Sequence, residues 1–191
     1  YSLFKKQIIM FSIDSKDNVH KTRFQLIEET KFFPSVISKI IDDLAYEEEY
    51  LFAVGGSESL FSPTLNSMER FDIANNKWEE MPSMKSKRDG LGVVASGNYL
   101  FAVGGGDDGS SPLNTTEGFD IANNKWEDMP SMKSKRSYLG VVAVGNYLFA
   151  VGGWDGSSHL NTMERFDIKK NVWEEMPEMK SRRSGLGVVA S

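Results

Sequence analysis

The stretch Tyr147 to Pro177 reads YLFAVGGWDGSSHLNTMERFDIKKNVWEEMP and decides how the rest of the chain is read. An apolar run ends in Gly152-Gly153. A polar loop follows, then a second run through Phe166, then Trp173 and Met176-Pro177. The same order of features stands at Tyr50 to Pro82 and at Tyr99 to Pro130. The paired glycines fall at Gly55-Gly56, Gly104-Gly105 and Gly152-Gly153, 49 and 48 residues apart, and Trp78, Trp126 and Trp173 keep step at 48 and 47. Self-similarity at a period of about 50 residues predicts a repeat architecture, each unit a small sheet that stacks on its neighbours.

Each unit divides into four expected strands, A to D. In the second copy, Leu91 to Ala95 is strand A, and Gly97-Asn98 turns it, since both residues tolerate positive φ. Tyr99 to Val103 is strand B, apolar on both faces as a strand buried between stacked sheets should be. Gly104-Gly105 ends it, Thr116 to Ile121 is strand C, Asn123-Asn124 makes the next turn, and Lys125 to Met129 is strand D, stopped by Pro130. Trp78, Trp126 and Trp173 are expected to be buried, wedged between neighbouring sheets.

Strand parity points to a binding rim. Antiparallel strands put the B–C and D–A loops at one end of every unit and the short A–B and C–D turns at the other. The B–C loops, Ser57 to Asn66, Gly106 to Asn114 and Trp154 to Asn161, differ between copies, and variable loops on a rigid scaffold are where binding concentrates. The D–A loops of the same rim carry Lys85, Lys87, Arg88, Lys133, Lys135, Arg136, Lys180, Arg182 and Arg183, nine of the 22 Lys and Arg. A basic rim on a chain of net charge -5 predicts an acidic partner segment, with arginines pairing to its carboxylates.

Outside the repeats, residues 1–49 stay ambiguous: a hairpin, a degenerate blade echoed in Phe11 to Asp14, or a helix carrying Val36, Ile37, Ile40, Ile41 and Leu44 on one face. The chain starts at Tyr1 rather than Met and stops inside an expected strand, so it is read as a fragment of a longer protein. The net negative charge argues against nucleic acid. No run approaches the length of a membrane span, and no signal peptide is visible. There are no cysteines, hence no disulfide framework and no thiol nucleophile, which fits an intracellular, cytoplasmic protein.

Three copies of YLFAVGG, an aromatic in strand C, a spaced Trp, Met-Pro and an Arg ahead of Gly-Val-Val resemble the kelch repeats of Kelch-like proteins, substrate adaptors of cullin-based ubiquitin ligases. The resemblance covers Tyr50 to Ser191. It implies an all-β fold of kelch propeller blades: about three four-stranded antiparallel blades at 50–83, 84–131 and 132–179, plus a final strand at 183–191. Three blades are too few to close a ring, so Leu186 to Ala190 is expected not to pair with Tyr50 to Val54. The strand C aromatic, usually Tyr in the family, is Phe71, Phe119 and Phe166 here.

The resemblance also implies partner contacts from the arginine leading into strand A (Arg88, Arg136, Arg183), the residue after the double glycine (Ser57, Gly106, Trp154) and the hydroxyl residue opening strand C (Ser67, Thr115, Thr162). It implies a non-catalytic protein-interaction scaffold whose link to a cullin would run through BTB and BACK domains, neither of which is recognisable in residues 1–49. The alternative is an actin-binding cytoskeletal kelch protein.

Enzyme readings fare worse. Kelch-type copper oxidases need a cysteine cross-linked to tyrosine, and here there is none. Asp155-Gly156-Ser157-Ser158-His159 strings triad residue types along one loop, whereas a triad converges from separate rigid positions. Gly104 to Gly109 lacks the Lys-Ser/Thr ending of a P-loop, and Asp107-Asp108 lacks EF-hand spacing. No cofactor or metal is expected.

Overall fold

The computed structural model describes residues 50–59, 62–107 and 111–191. The expectations for residues 1–49 lie outside the described residues. Two compact units divide the chain, Tyr1–Glu48 and Glu49–Ser191, and the second holds the repeats.

Among its described residues all regular elements are strands, joined antiparallel in sequence order. β1 (Tyr50–Val54), β2 (Met68–Asp72) and β3 (Lys77–Met81) form the first sheet. β4 (Gly92–Ser96), β5 (Tyr99–Val103), β8 (Thr116–Asp120) and β9 (Lys125–Met129) form the second, whose B–C loop carries a two-residue ribbon of β6 (Gly106–Asp107) and β7 (Ser111–Pro112). β10 (Gly140–Val144), β11 (Tyr147–Val151), β12 (Met163–Asp167) and β13 (Val172–Met176) form the third. These are the expected antiparallel blades, two with strands A to D and one with B to D among the described residues.

The turns follow from residue chemistry. Gly97 and Gly145 hold φ of 57° and 58° in the A–B turns, and Asn76, Asn124 and Asn171 hold 51°, 52° and 56° in the C–D turns. Asp72 and Asp120 cap two of the C–D turns by accepting from the backbone N–H of Asn75 and Asn123 at 2.9 and 3.0 Å. A hydrogen bond from each Asn side chain, and after it the backbone one, holds both carboxyls below the usual carboxylate range.

Period-two alternation places the core on both faces of the middle blade. Leu100 and Ala102 pack toward the first sheet with Met68, Met84, Phe119 and Trp126. Phe101 and Val103 point the other way and pack with Met132, Leu139, Leu148, Ala150 and Phe166. In every blade the strand C phenylalanine stands opposite the strand D tryptophan, as in Phe119↔Trp126, with ring centroids 5.2 Å apart.

The tryptophans do not share one environment. Trp126 is buried and donates its indole N–H to Pro82 O in the preceding blade at 2.8 Å, while Trp173 is partly buried and reaches Pro130 O at 2.9 Å. Trp78 is 50% exposed, against the expectation of burial, because no described blade precedes it to supply such a carbonyl. The final strand expected at 183–191 is also absent: residues 177–191 carry no strand and form no ladder with any described strand, the open edge of β1 included. That leaves Leu186 to Ala190 unpaired with β1. Leu186 and Val188 instead lie over Gly140 of β10, where a Cβ would have no room.

Candidate functional site

The double glycines build the rim. Gly55, Gly104 and Gly152 hold φ of 61–62°, and a β-carbon on any of them would collide with the carbonyl oxygen of Arg88, Arg136 or Arg183. The next glycine then donates its N–H to that same carbonyl at 2.8 Å: Gly56 to Arg88, Gly105 to Arg136, Gly153 to Arg183. Each arginine's own N–H returns to the B–C loop, at Leu65, Leu113 and Leu160 O. The D–A turn is thereby locked against the B–C loop, and both occupy one end of the blades, as parity requires.

The arginine side chains themselves turn inward, which corrects the expectation that Arg88 and Arg136 face a partner. Both are 0% exposed. Arg88 donates from Nη1 to Gly104 O (2.6 Å) and Thr115 O (3.0 Å), from Nη2 to Thr115 Oγ1 (2.8 Å), and from Nε and Nη2 to Glu117 Oε1 (3.1 and 2.9 Å). Arg136 repeats the set one blade on, with Gly152 O, Thr162 O, Thr162 Oγ1 and Glu164. Glu117 and Glu164 also accept the backbone N–H groups of Lys85 and Ser86, and of Lys133 and Ser134. Burial pulls the Arg88 guanidinium below its ordinary value, and the Glu117 carboxylate offsets part of that fall. These arginines are inter-loop staples with every direction of the guanidinium fork spent.

The other expected contacts divide. Thr115 and Thr162 lend their hydroxyls to the staples. Ser57, Ser67 and Arg183 are exposed, Gly106 is buried in β6, and Trp154 is partly exposed and bridged to Ser137 and His159. Among the nine rim cations, Lys85 and Lys133 are held by Asp128 and Glu175, the latter raising the Lys133 ammonium above its ordinary value. Lys87, Lys135 and Arg182, one per repeat at the same position, are exposed and form no salt bridge among the described residues.

No triad assembles in the loop of Asp155. Its Oδ1 accepts the N–H of Ser158 and Ser157, both at 2.7 Å, which lowers its pKa, and His159 Nδ1 pairs with Ser184 Oγ at 2.9 Å instead. Among the described residues no group of His, Cys, Asp and Glu could hold a metal ion, and no helix is long and apolar enough to cross a membrane.

Reading the sequence by charge alone missed Glu117 and Glu164. A signal was there: Glu69, Glu117 and Glu164 recur at one repeat position in an otherwise half-buried strand, and a recurring inward carboxylate calls for a recurring buried cation.

Consecutive antiparallel sheets packed face to face and locked through double-glycine turns define a β-propeller repeat protein. The family model for the KLHDC2/KLHL20/DRC7 Kelch-repeats domain matches residues 43–190, and the chain belongs to the kelch-repeat family. It is 44% identical over 57 residues to Kelch-like protein 8 of Caenorhabditis elegans and 35% identical over 57 residues to Alpha-scruin of Limulus polyphemus. Each match covers 30% of this chain, and the chain spans 8% and 6% of those relatives' lengths. A solved structure titled "Structure of YjhT" shares the fold with a TM-score of 0.62 at 12% identity, over 73% of this chain and 52% of that one.

Proposed function

We propose that this chain is a non-catalytic scaffold that binds an acidic segment of a partner protein along the rim of B–C and D–A loops. The carrying observation is the row of Lys87, Lys135 and Arg182, exposed cations at one repeat position with no salt bridge among the described residues. Their spacing by blade suits an extended segment that crosses neighbouring blades; Lys87 and Lys135 are open to pair with a carboxylate, and Arg182, which donates from Nη1 to His159 O at 3.3 Å, keeps Nε and Nη2 for one. Arg88 and Arg136 are not part of this surface. Arg183, Ser57, Ser67 and Trp154 are accessible beside it. By kinship with the Kelch-like proteins, the whole protein is read as a cytoplasmic substrate adaptor of a cullin-based ubiquitin ligase.

The test is peptide display against the purified chain and against Lys87→Glu/Lys135→Glu/Arg182→Glu. Enrichment of Asp- and Glu-rich peptides by the first, lost in the second and weakened by salt, supports the reading. The same peptides enriched by both proteins would sink it. For the cellular role, co-precipitation of a cullin with the full-length protein supports the adaptor; co-sedimentation with actin filaments in its place would favour the cytoskeletal alternative.

A further inference from the structure

The junction of the second and third blades breaks the repeat at one backbone position. Gly90, Tyr138 and Gly185 are equivalent, two residues after the staple arginine, and hold φ of 58°, 52° and 62°. A ladder fixes that conformation: Tyr138 N–H donates to Gly90 O at 2.6 Å, and Gly185 N–H to Tyr138 O at 2.7 Å. Glycine takes it freely, whereas a tyrosine is sterically disfavoured there. Burial does not compensate: Tyr138 is 52% exposed, and its hydroxyl has no partner among the described residues. The ring lies over Gly90, where a β-carbon would stand 2.9 Å from Tyr138 Cδ1.

Tyr138 and Trp154 edge one shallow, open surface notch, together with Pro112 and Asp89. Its walls are held by backbone rungs on both sides, Asp89 with Gly106 (2.9 and 2.8 Å) and Ser137 with Trp154 (2.9 and 2.8 Å). Asp89 stands where the other repeats have Ser137 and Ser184. Its Oδ1 accepts the N–H of Gly90 at 2.8 Å, and its Oδ2 has no partner among the described residues. The Arg88 guanidinium next to it in sequence is committed to Glu117, so it does not neutralise this carboxylate. An unpaired carboxylate beside two accessible aromatic rings attracts a cation, and a planar guanidinium can stack on a ring while pairing with the acid.

We infer that this notch seats one arginine side chain of the bound partner segment. The inference rests on reading the rim as a partner-binding surface, and it adds specificity: a segment with carboxylates for Lys87, Lys135 and Arg182 and one arginine for the notch. Asp89 supplies the charge pairing, and Tyr138 and Trp154 supply the stacking faces.

The experiment titrates acetyl-Gly-Arg-Gly-amide, and its citrulline counterpart, into the purified chain while the four tryptophan indole N–H signals are followed by NMR. The Trp154 signal, identified with Trp154→Phe, should shift saturably with the arginine peptide and about fivefold or more weakly with citrulline, which keeps the shape and loses the charge. Asp89→Asn and Tyr138→Gly should each weaken binding by a similar factor. Tyr138→Gly should also raise the denaturation midpoint, because it restores the residue that the other repeats use. Equal shifts from both peptides, unchanged binding in either variant, or a lower midpoint for Tyr138→Gly would overturn the proposal, the last by making Tyr138 a packing residue. Arginine binding without enrichment of acidic peptides would fail the rim reading alone; acidic enrichment without arginine binding would fail the notch alone.

Discussion

Replacing Arg136 by alanine tests the staple. Arg136 reaches Glu164 Oε1 from Nε and Nη2 at 3.3 and 3.0 Å, Gly152 O and Thr162 O from Nη1 at 2.9 and 3.0 Å, and Thr162 Oγ1 from Nη2 at 2.9 Å. Without it, Glu164, 2% exposed in the intact chain, keeps only the N–H groups of Lys133 and Ser134 for partners. Breaking a buried ion pair from one side costs about 3–5 kcal/mol, far more than a surface pair. Thr162 O keeps the N–H of Gly152, so its loss adds little to that figure. Urea unfolding should therefore show a midpoint lowered by the equivalent of about 3–5 kcal/mol at unchanged slope. Arg183→Ala is the internal control: it changes the same repeat position where the side chain is exposed, and should stay within about 0.5 kcal/mol of the parent. Arg136→Lys keeps the charge but loses the fork and should fall between. If Arg136→Ala and Arg183→Ala unfold together, Arg136 is no staple.

The tryptophans and the turn carboxylates give two more expectations. Trp126→Ala removes a buried ring and its bond to Pro82 O, and should cost about 3–5 kcal/mol in the same urea assay, against less than about 1.5 kcal/mol for half-exposed Trp78→Ala. Asp120 has its pKa lowered by the Asn123 side chain and backbone, so its contribution is full above the ordinary carboxyl pKa and is lost as pH falls through the lower folded value. Asp120→Asn should thus be less stable than the parent at neutral pH, with the gap closing below about pH 4; a gap independent of pH would refute the link.

Much of the fold was legible because the repeat states each constraint several times. The double glycines, the Asn and Gly turns and the two-faced strand B each follow from local chemistry, and β5, β9 and β11 stand where those signals put them. Contacts between blades were harder to read. The exposure of Trp78 depends on what lies ahead of it rather than on its own strand. Arg88 and Arg136 look, in sequence, like any charged loop residues, and only folding shows that Glu117 and Glu164, 29 and 28 residues further on, close over them.

The staples change where partner specificity should be sought. Arg88 and Arg136 spend their guanidinium groups on holding neighbouring loops together and have no donor direction left for a ligand. The same holds for the glycines beneath their carbonyls, where any β-carbon would push the loops apart. Recognition then falls to positions that the inter-blade grip leaves free. Lys87, Lys135 and Arg182 qualify because their neighbours carry the grip. Tyr138 and Asp89 qualify more sharply, because each departs from its repeat counterparts, and Tyr138 does so at a backbone angle that favours glycine.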